Sequence, residues 1–184
     1  MRYYLGMISD LNIWLERLSS LQRKHMRAAA NAEGIQLVHL EILRFLVISN
    51  KYSNTAQALC DYLGQTKGSI SQSLKLIEDA GHIVRKPCEK DGRVIRLYLS
   101  ADGLKCMKRL EKDLLPDLPE NEKRLNVLRD ILSEWQVRND LKGFGQCNSC
   151  RFNKSLSQNK FKCGLTGEAL AETDLDKICQ EHVF

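Results

Sequence analysis

The stretch TAQALCDYLGQTKGSISQSLKLIEDAGHIVRKPCEKDGRVIRLYLSADG, residues 55–103, decides the fold. Thr55 stands where a cap is needed for a short helix carrying Ala56, Leu59, Cys60 and Leu63, and Gly64 closes that helix. Thr66 caps a second helix running through Ile70, Leu74 and Ile77 to Gly81. The turn between them is only Leu63-Gly64-Gln65-Thr66. Two short helices joined across a tight, glycine-containing turn are the signature of a helix-turn-helix. The apolar period then changes. Residues 82–87 and 93–100 read as strands, separated by Cys88-Glu89-Lys90-Asp91-Gly92, and Asp-Gly between strands is a strong hairpin signal. Ser100-Ala101-Asp102-Gly103 opens a further helix.

The second helix is built to read a surface. Ile70, Leu74 and Ile77 face inward, leaving Thr66, Lys67, Ser69, Ser71, Gln72, Ser73 and Lys75 on the outer face. A glutamine can pair two-pronged with adenine. Hydroxyls reach phosphates or base edges, and lysines supply charge to phosphate. The helix N-terminus favours a phosphate, and Gly68 lets the backbone come close to one. Any amphipathic helix also has a solvated polar face, so the helix-turn-helix and hairpin around it are what favour DNA reading.

Outward from this stretch the chain is mainly helical. Residues 8–31 read as a long helix with Ile8, Leu11, Leu15 and Leu18 at three- and four-residue steps and Trp14 and Leu21 widening the stripe. Ser9 or Asp10 caps it and Gly34 ends it. Residues 36–49 form a second helix, apolar at Leu40, Leu43, Leu46 and Val47. Past the hairpin, a helix over 104–115 stops before Pro116, and a last one over 120–141 is apolar at Leu125, Leu128, Leu132 and Trp135. These stripes read mostly as core, yet those on 8–31, 104–115 and 120–141 are too wide to satisfy on one small body. That fits a homodimer.

Taken together, residues 55–103 and the helices around them resemble the MarR family, over about residues 8–141. The resemblance implies that the long first helix and the two C-terminal helices build a dimer interface. It also implies that Arg93 is the wing arginine that enters the minor groove, with Asp91 orienting its guanidinium. Lys86, Lys90 and Arg96 stand where they can add phosphate contacts, though strand-edge cations need no such role. Two modules on a two-fold axis read a pseudo-palindrome with half-sites about one helical turn apart. Members of the family commonly bind small aromatic ligands in a cleft between the dimer and DNA-binding parts, and others sense oxidants by cysteine. A small-molecule or redox effector is therefore expected.

Composition agrees. The 184 residues carry a net charge of +5, with 43% apolar and 28% charged side chains. Residues 147–184 hold five basic and five acidic groups, so the whole excess lies in residues 1–146, as suits a polyanionic partner. No apolar run reaches membrane-spanning length and no secretory signal opens the chain, so the expectation is a cytoplasmic protein without a membrane partner. His25, His39, His82 and His182 are scattered, with no nucleophile pattern, phosphate loop, HExxH or GxSxG nearby, which argues against an enzyme.

Gly143 and Gly145 mark a boundary, giving a winged body over 1–142 and a cysteine-rich tail over 143–184. The tail reads Cys147-Asn-Ser-Cys150, twelve residues, Cys163, fifteen residues, Cys179. Clustered cysteines in a cytosolic chain are metal ligands more often than disulfides. Four thiolates suit tetrahedral zinc or an iron–sulfur cluster. A tail with only Phe152, Leu156, Phe161, Leu165, Leu170, Leu175 and Ile178 to bury needs a staple. One metal centre per chain is expected, zinc or iron–sulfur. Zinc has the commoner four-cysteine sites. Against it, only one knuckle is present, and the spacing, Phe152 and the Cys163-Gly-Leu step are loosely similar to high-potential iron–sulfur proteins. His182 is an alternative ligand or simply a polar chain end. Of the other cysteines, Cys60 reads as packing, Cys106 lies beside the dimer stripe, and Cys88 sits between Lys86 and Lys90, which favour its thiolate.

The expected fold is thus mainly α (α+β): a winged helix-turn-helix with long dimerisation helices and a small metal-stapled C-terminal module. The expected function is sequence-specific double-stranded DNA binding and transcriptional regulation, with the four-cysteine centre sensing redox or metal status. The alternative is a small electron-transfer or thiol-redox protein that uses the winged helix for protein contacts.

Overall fold

A computed structural model describes residues 9–111, 114, 119, 121–157 and 160–183. Among the described residues six α-helices and seven short strands follow in the order α1 (Asp10–Ala32), α2 (Leu37–Ile48), α3 (Ala56–Leu63), α4 (Lys67–Asp79), β1 (Ile83–Pro87), β2 (Ile95–Leu99), α5 (Ala101–Leu110), α6 (Glu122–Arg138), β3 (Gly145–Gln146), β4 (Asn153–Ser157), β5 (Lys160–Cys163), β6 (Ala169–Leu170) and β7 (Ile178–Cys179). The expected positions of Ile8 and Pro116, and the last residues of the 104–115 helix other than Leu114, lie outside the described residues.

Local chemistry sets the helix ends. Ser9, Thr55, Thr66, Ser100 and Asn121 each accept a backbone N–H three residues on, at 3.4, 3.2, 3.2, 3.0 and 3.3 Å. Each such cap contributes about 1 kcal/mol. Gly64 takes a left-handed conformation, φ +62°, and so turns α3 into α4 without the strain a side chain would bring. Gly103 is needed for another reason: a Cβ there would stand 2.0 Å from the His82 carbonyl oxygen, where α5 starts against the entrance of β1.

The core is one cluster built from α2, α3, α4, the wing, α5 and the end of α1. Leu40, Ile42, Leu43, Phe45, Leu59, Ile70, Leu74, Ile77 and Ile83 are wholly shielded from solvent. Strands β1 and β2 pair antiparallel from Ile83 opposite Leu99 to Pro87 opposite Ile95. Arg85 donates from Nε to Glu78 at 2.8 Å and ties the wing to the end of α4. The tip is two residues longer than the expected five, because β2 begins at Ile95 and not at Arg93. Residues 88–94 form the connection, and Val94 N–H donates to the Asp91 carbonyl at 2.9 Å.

Two expectations about burial are corrected. The stripe on α1 is not core within one chain. Leu11, Trp14 and Leu18 are exposed, and α1 buries only Met26, Ala29 and Ala30. The first turns of the helix contribute nothing to the core, as do Leu125, Leu128, Leu132 and Trp135 of α6, all exposed. The tail, on whose secondary structure the sequence is silent, forms two small antiparallel sheets, β3–β7 and β4–β5–β6. It docks on the segment between α2 and α3. Asn50 N–H donates to Ile178 O at 2.9 Å, Gln180 N–H donates to Ser53 Oγ at 2.9 Å, and Lys177 Nζ donates to Val47 O. Phe144 completes an aromatic cluster with Phe45 and Tyr62. No described helix is long and apolar enough to cross a membrane.

Candidate nucleic-acid interface and cysteine cavity

Helix α4 presents the face expected of it. Lys67, Gly68, Ser71, Gln72 and Lys75 are exposed and Ser69 is half-buried, while Ile70, Leu74 and Ile77 point into the core. Thr66 has its hydroxyl occupied as the N-cap, accepting from Ser69 N–H at 3.2 Å. Ser73 is a correction: it is buried, because three steps after Ile70 and four before Ile77 put it on the inner face.

At the wing tip Asp91 holds Arg93 in a fork. Arg93 Nε donates to Oδ1 at 2.9 Å, Nη2 to Oδ2 at 3.0 Å, and the Arg93 backbone N–H also reaches Oδ1 at 3.1 Å. The side-chain bonds from Arg93 hold the Asp91 carboxyl below its usual range. The guanidinium itself is 91% exposed, so it is aimed but not covered. Planar fork-to-fork geometry of this kind fixes direction more than it adds stability on a wet surface.

The other wing cations are committed inward or sideways. Arg96 donates from Nη1 to the Tyr52 carbonyl at 2.7 Å and to Asn54 Oδ1 at 3.4 Å, which takes it away from a phosphate role. Lys86 lies over the Tyr98 ring. Lys90 pairs with Glu168 of the tail. The Cys88 thiol is drawn below its ordinary pKa as expected, but chiefly by the backbone N–H of Lys90 and then of Asp91, not by lysine charges. Cys60 is buried and its thiol raised by desolvation, as packing requires. Cys106 is buried beside the Glu33 carboxylate, which Arg109 grips at 2.6 and 2.9 Å.

The four tail cysteines come together. Cys147, Cys150, Cys163 and Cys179 line a single cavity with Phe152, Leu165 and Leu170 of the tail and Asn50 and Tyr52 of the body. Asn50 Nδ2 donates to Cys147 Sγ at 3.6 Å. Cys147 and Cys179 shift each other in opposite senses, the first thiol raised and the second drawn down to about 6. Among the described residues no three His, Cys, Asp or Glu side chains are placed to hold a single metal ion. His182 is neither a free chain end nor part of this lining. It is buried, its Nε2 lies 3.1 Å from Ser149 Oγ, and Gly145 has no room for a Cβ against its ring.

Sequence reasoning missed the residues that join cavity to wing. Tyr52 lines the cavity and donates from its hydroxyl to Glu168 Oε2 at 2.7 Å, across 116 positions of sequence. Glu168 also pairs with Lys51 at 2.9 Å and with Lys90. Lys51, then Lys90, then the Tyr52 hydroxyl draw its carboxyl down to about 2. Nothing local in the sequence signals such a meeting.

Residues 33–94 match the model of the MarR family. Solved structures share the fold over most of their length. CouR from Rhodococcus jostii RHA1, in complex with p-coumaroyl-CoA, superposes with a TM-score of 0.58 at 15% identity over 69% of this chain and 92% of its own. AbfR of Staphylococcus epidermidis gives 0.59 at 17% over 71% and 91%. The apo form of MarR from E. coli gives 0.53 at 15% over 70% and 98%. No curated protein sequence matches the chain.

Proposed function

We propose that this chain, a winged helix-turn-helix protein matched over residues 33–94 to the MarR family of transcriptional regulators, binds double-stranded DNA sequence-specifically as a homodimer on a pseudo-palindromic operator. The MarR family is one of regulators and not of enzymes. The observation that carries the reading is the Asp91–Arg93 fork, which aims an exposed guanidinium from a hairpin tied to α4, the helix that exposes Lys67, Ser71, Gln72 and Lys75. In the bound state α4 reads the major groove, with Gln72 on a base edge and Lys67, Ser69, Ser71, Lys75 and the Thr66 end of the helix on backbone or base edges. Arg93 enters the adjacent minor groove.

Dimerisation supplies the second half-site. Exposed Leu11, Trp14 and Leu18 of α1 and Leu125, Leu128, Leu132 and Trp135 of α6 form an apolar surface of the kind that marks a protein interface, and Asn12, Leu15, Leu128 and Trp135 share one groove. A second copy of the chain covers it. The groove and the cysteine cavity are the two places that suit a small-molecule or redox effector, and one metal centre on the four cysteines is part of the reading. The test is fluorescence anisotropy with labelled duplexes at several salt concentrations. Affinity that falls steeply with salt, and drops when Arg93→Ala or Gln72→Ala is introduced, supports the regulator. No duplex affinity at low salt contradicts it.

A further inference from the structure

The four tail thiols come from three separate places: a 3-10 turn carrying Cys147 and followed by Cys150, the end of β5, and β7. They surround one void whose remaining walls are largely hydrocarbon, from Phe152, Leu165 and Leu170. Different metal centres place their ligands differently. A tetrahedral zinc ion draws four sulfurs to within about 3.8 Å of one another, since each bond is about 2.3 Å long. Among the described residues no three such ligands are placed around a single ion, although all four line the same cavity. A [4Fe–4S] cluster makes the opposite demand: each thiolate takes its own iron, and the sulfurs stand apart around a body several atoms wide. An amide donor to a ligand sulfur and a dry apolar wall are two of the levers by which proteins hold such clusters. Asn50 supplies the first, and buried Leu170 with half-buried Phe152 the second.

Two walls of this cavity are not tail at all. Asn50 and Tyr52 belong to the loop between α2 and α3. Tyr52 is bound at both ends by groups that continue to the wing. Its carbonyl accepts Arg96 of β2 at 2.7 Å, and its hydroxyl donates to Glu168, which in turn pairs with Lys90 beside the wing tip. Neighbouring Asn54 exchanges two bonds with Leu97 of β2, at 2.8 and 3.1 Å. A change in the cavity's width is therefore felt at the wing through side chains already in contact.

We propose that Cys147, Cys150, Cys163 and Cys179 ligate a [4Fe–4S] cluster and not a zinc ion, and that Tyr52 and Glu168 couple its presence to the wing. Binding takes the four cysteines as thiolates and releases their protons to solvent. This deepens the regulator reading, but only the use of the coupling rests on that reading. The site and the coupling do not.

The experiment uses the full chain, purified anaerobically and reconstituted with ferric iron, sulfide and excess thiol, the thiol reducing half of the iron as it is oxidised to its disulfide. Iron, acid-labile sulfide and zinc are assayed with the visible spectrum. The expected result is about four iron and about four sulfide per chain with a broad visible absorption. One zinc without sulfide, two iron with two sulfide, or neither metal overturns the assignment. Cys147→Ser and Cys163→Ser each remove most of the iron, while Cys88→Ser keeps it. A Cys88→Ser variant that loses the cluster overturns the ligand set.

Hydrogen exchange of residues 83–99 then reads the coupling without DNA. Exchange in the wing slows at least about fivefold in the loaded chain relative to chelator-stripped chain, a coupling at the low end of the usual range. Glu168→Gln keeps the iron and loses that difference. Equal wing exchange in loaded and stripped wild-type chain overturns the coupling and leaves the cluster standing. Loss of duplex affinity in every form would instead count against the regulator reading alone.

Discussion

In the winged body Leu40, Ile42, Leu43, Leu59, Ile70 and Leu74 have no measurable exposure, and α2 to α5 all contribute buried apolar side chains to one cluster. In the tail the described apolar side chains below a tenth exposed are Phe144, Cys147 and Leu170, while Leu156 and Leu165 are 63% and 52% exposed. Both regions have regular hydrogen bonding, so the difference lies in what fills the space between backbones. The body fills it with hydrocarbon and is stable by burial. The tail leaves an internal cavity edged with sulfur and rests one flank on the body through Asn50, Ser53 and Lys51. On the proposed reading, a region of that kind gains its last increment of order from the metal centre its cysteines hold.

The contrast is sharpest in stability. Leu59→Ala empties a fully buried site and costs about 2–5 kcal/mol, read by urea unfolding. Leu156→Ala, on an exposed tail position, stays within about 0.5 kcal/mol. Comparable losses at the two sites would break the distinction drawn here.

Next in size is the DNA effect. Arg93→Ala weakens duplex binding by about 1–3 kcal/mol, or roughly five- to 150-fold, in anisotropy titrations. Its melting temperature stays within a degree or two of wild type, because the guanidinium is exposed. Thr66→Ala is smaller and touches both properties. Losing the cap of α4 costs about 1 kcal/mol of stability and loosens the helix end expected to face phosphate.

The smallest effect concerns acid. Glu168 has its carboxyl drawn down to about 2 by Lys51, Lys90 and Tyr52, against an ordinary value of 4.5. A depressed folded-state pKa means the contribution is complete above about 4.5 and fades as pH falls towards 2. The link from tail to wing therefore persists unchanged from neutral pH down to about 5. Wing exchange measured at pH 7 and pH 5, corrected for the intrinsic rate, should agree, and a loosening between those values would show that Glu168 is not the link.

The winged body was legible because its signals are local. Thr55, Thr66 and Ser100 cap the helices they precede, Gly64 takes positive φ where α3 turns into α4, and the inward stripe of Ile70, Leu74 and Ile77 follows the helical period. Asp91 and Arg93 were found through resemblance and meet in the structure as expected. Ser73 was misplaced although its spacing from Ile70 and Ile77 put it inside, because a serine was read by its chemistry before its period. The α1 and α6 stripes were legible as apolar but not as unburied, since period reports a face and not what lies against it. In the tail the four cysteines were found by their spacing, while its strands, two to five residues long, carry too little alternation to stand out. Tyr52, Glu168 and Asn50 were invisible because their roles come from a docking across more than ninety positions of chain.

One measurement bears most directly on the central claim that α4 and the wing read an operator: selection of the full-length chain against a library of randomised duplexes, repeated with Gln72→Ala. The account predicts enrichment of a pseudo-palindrome with half-sites about one helical turn apart, and loss of preference at one position in each half-site for the variant. Recovery of no preferred duplex by the wild-type chain at low salt would contradict it.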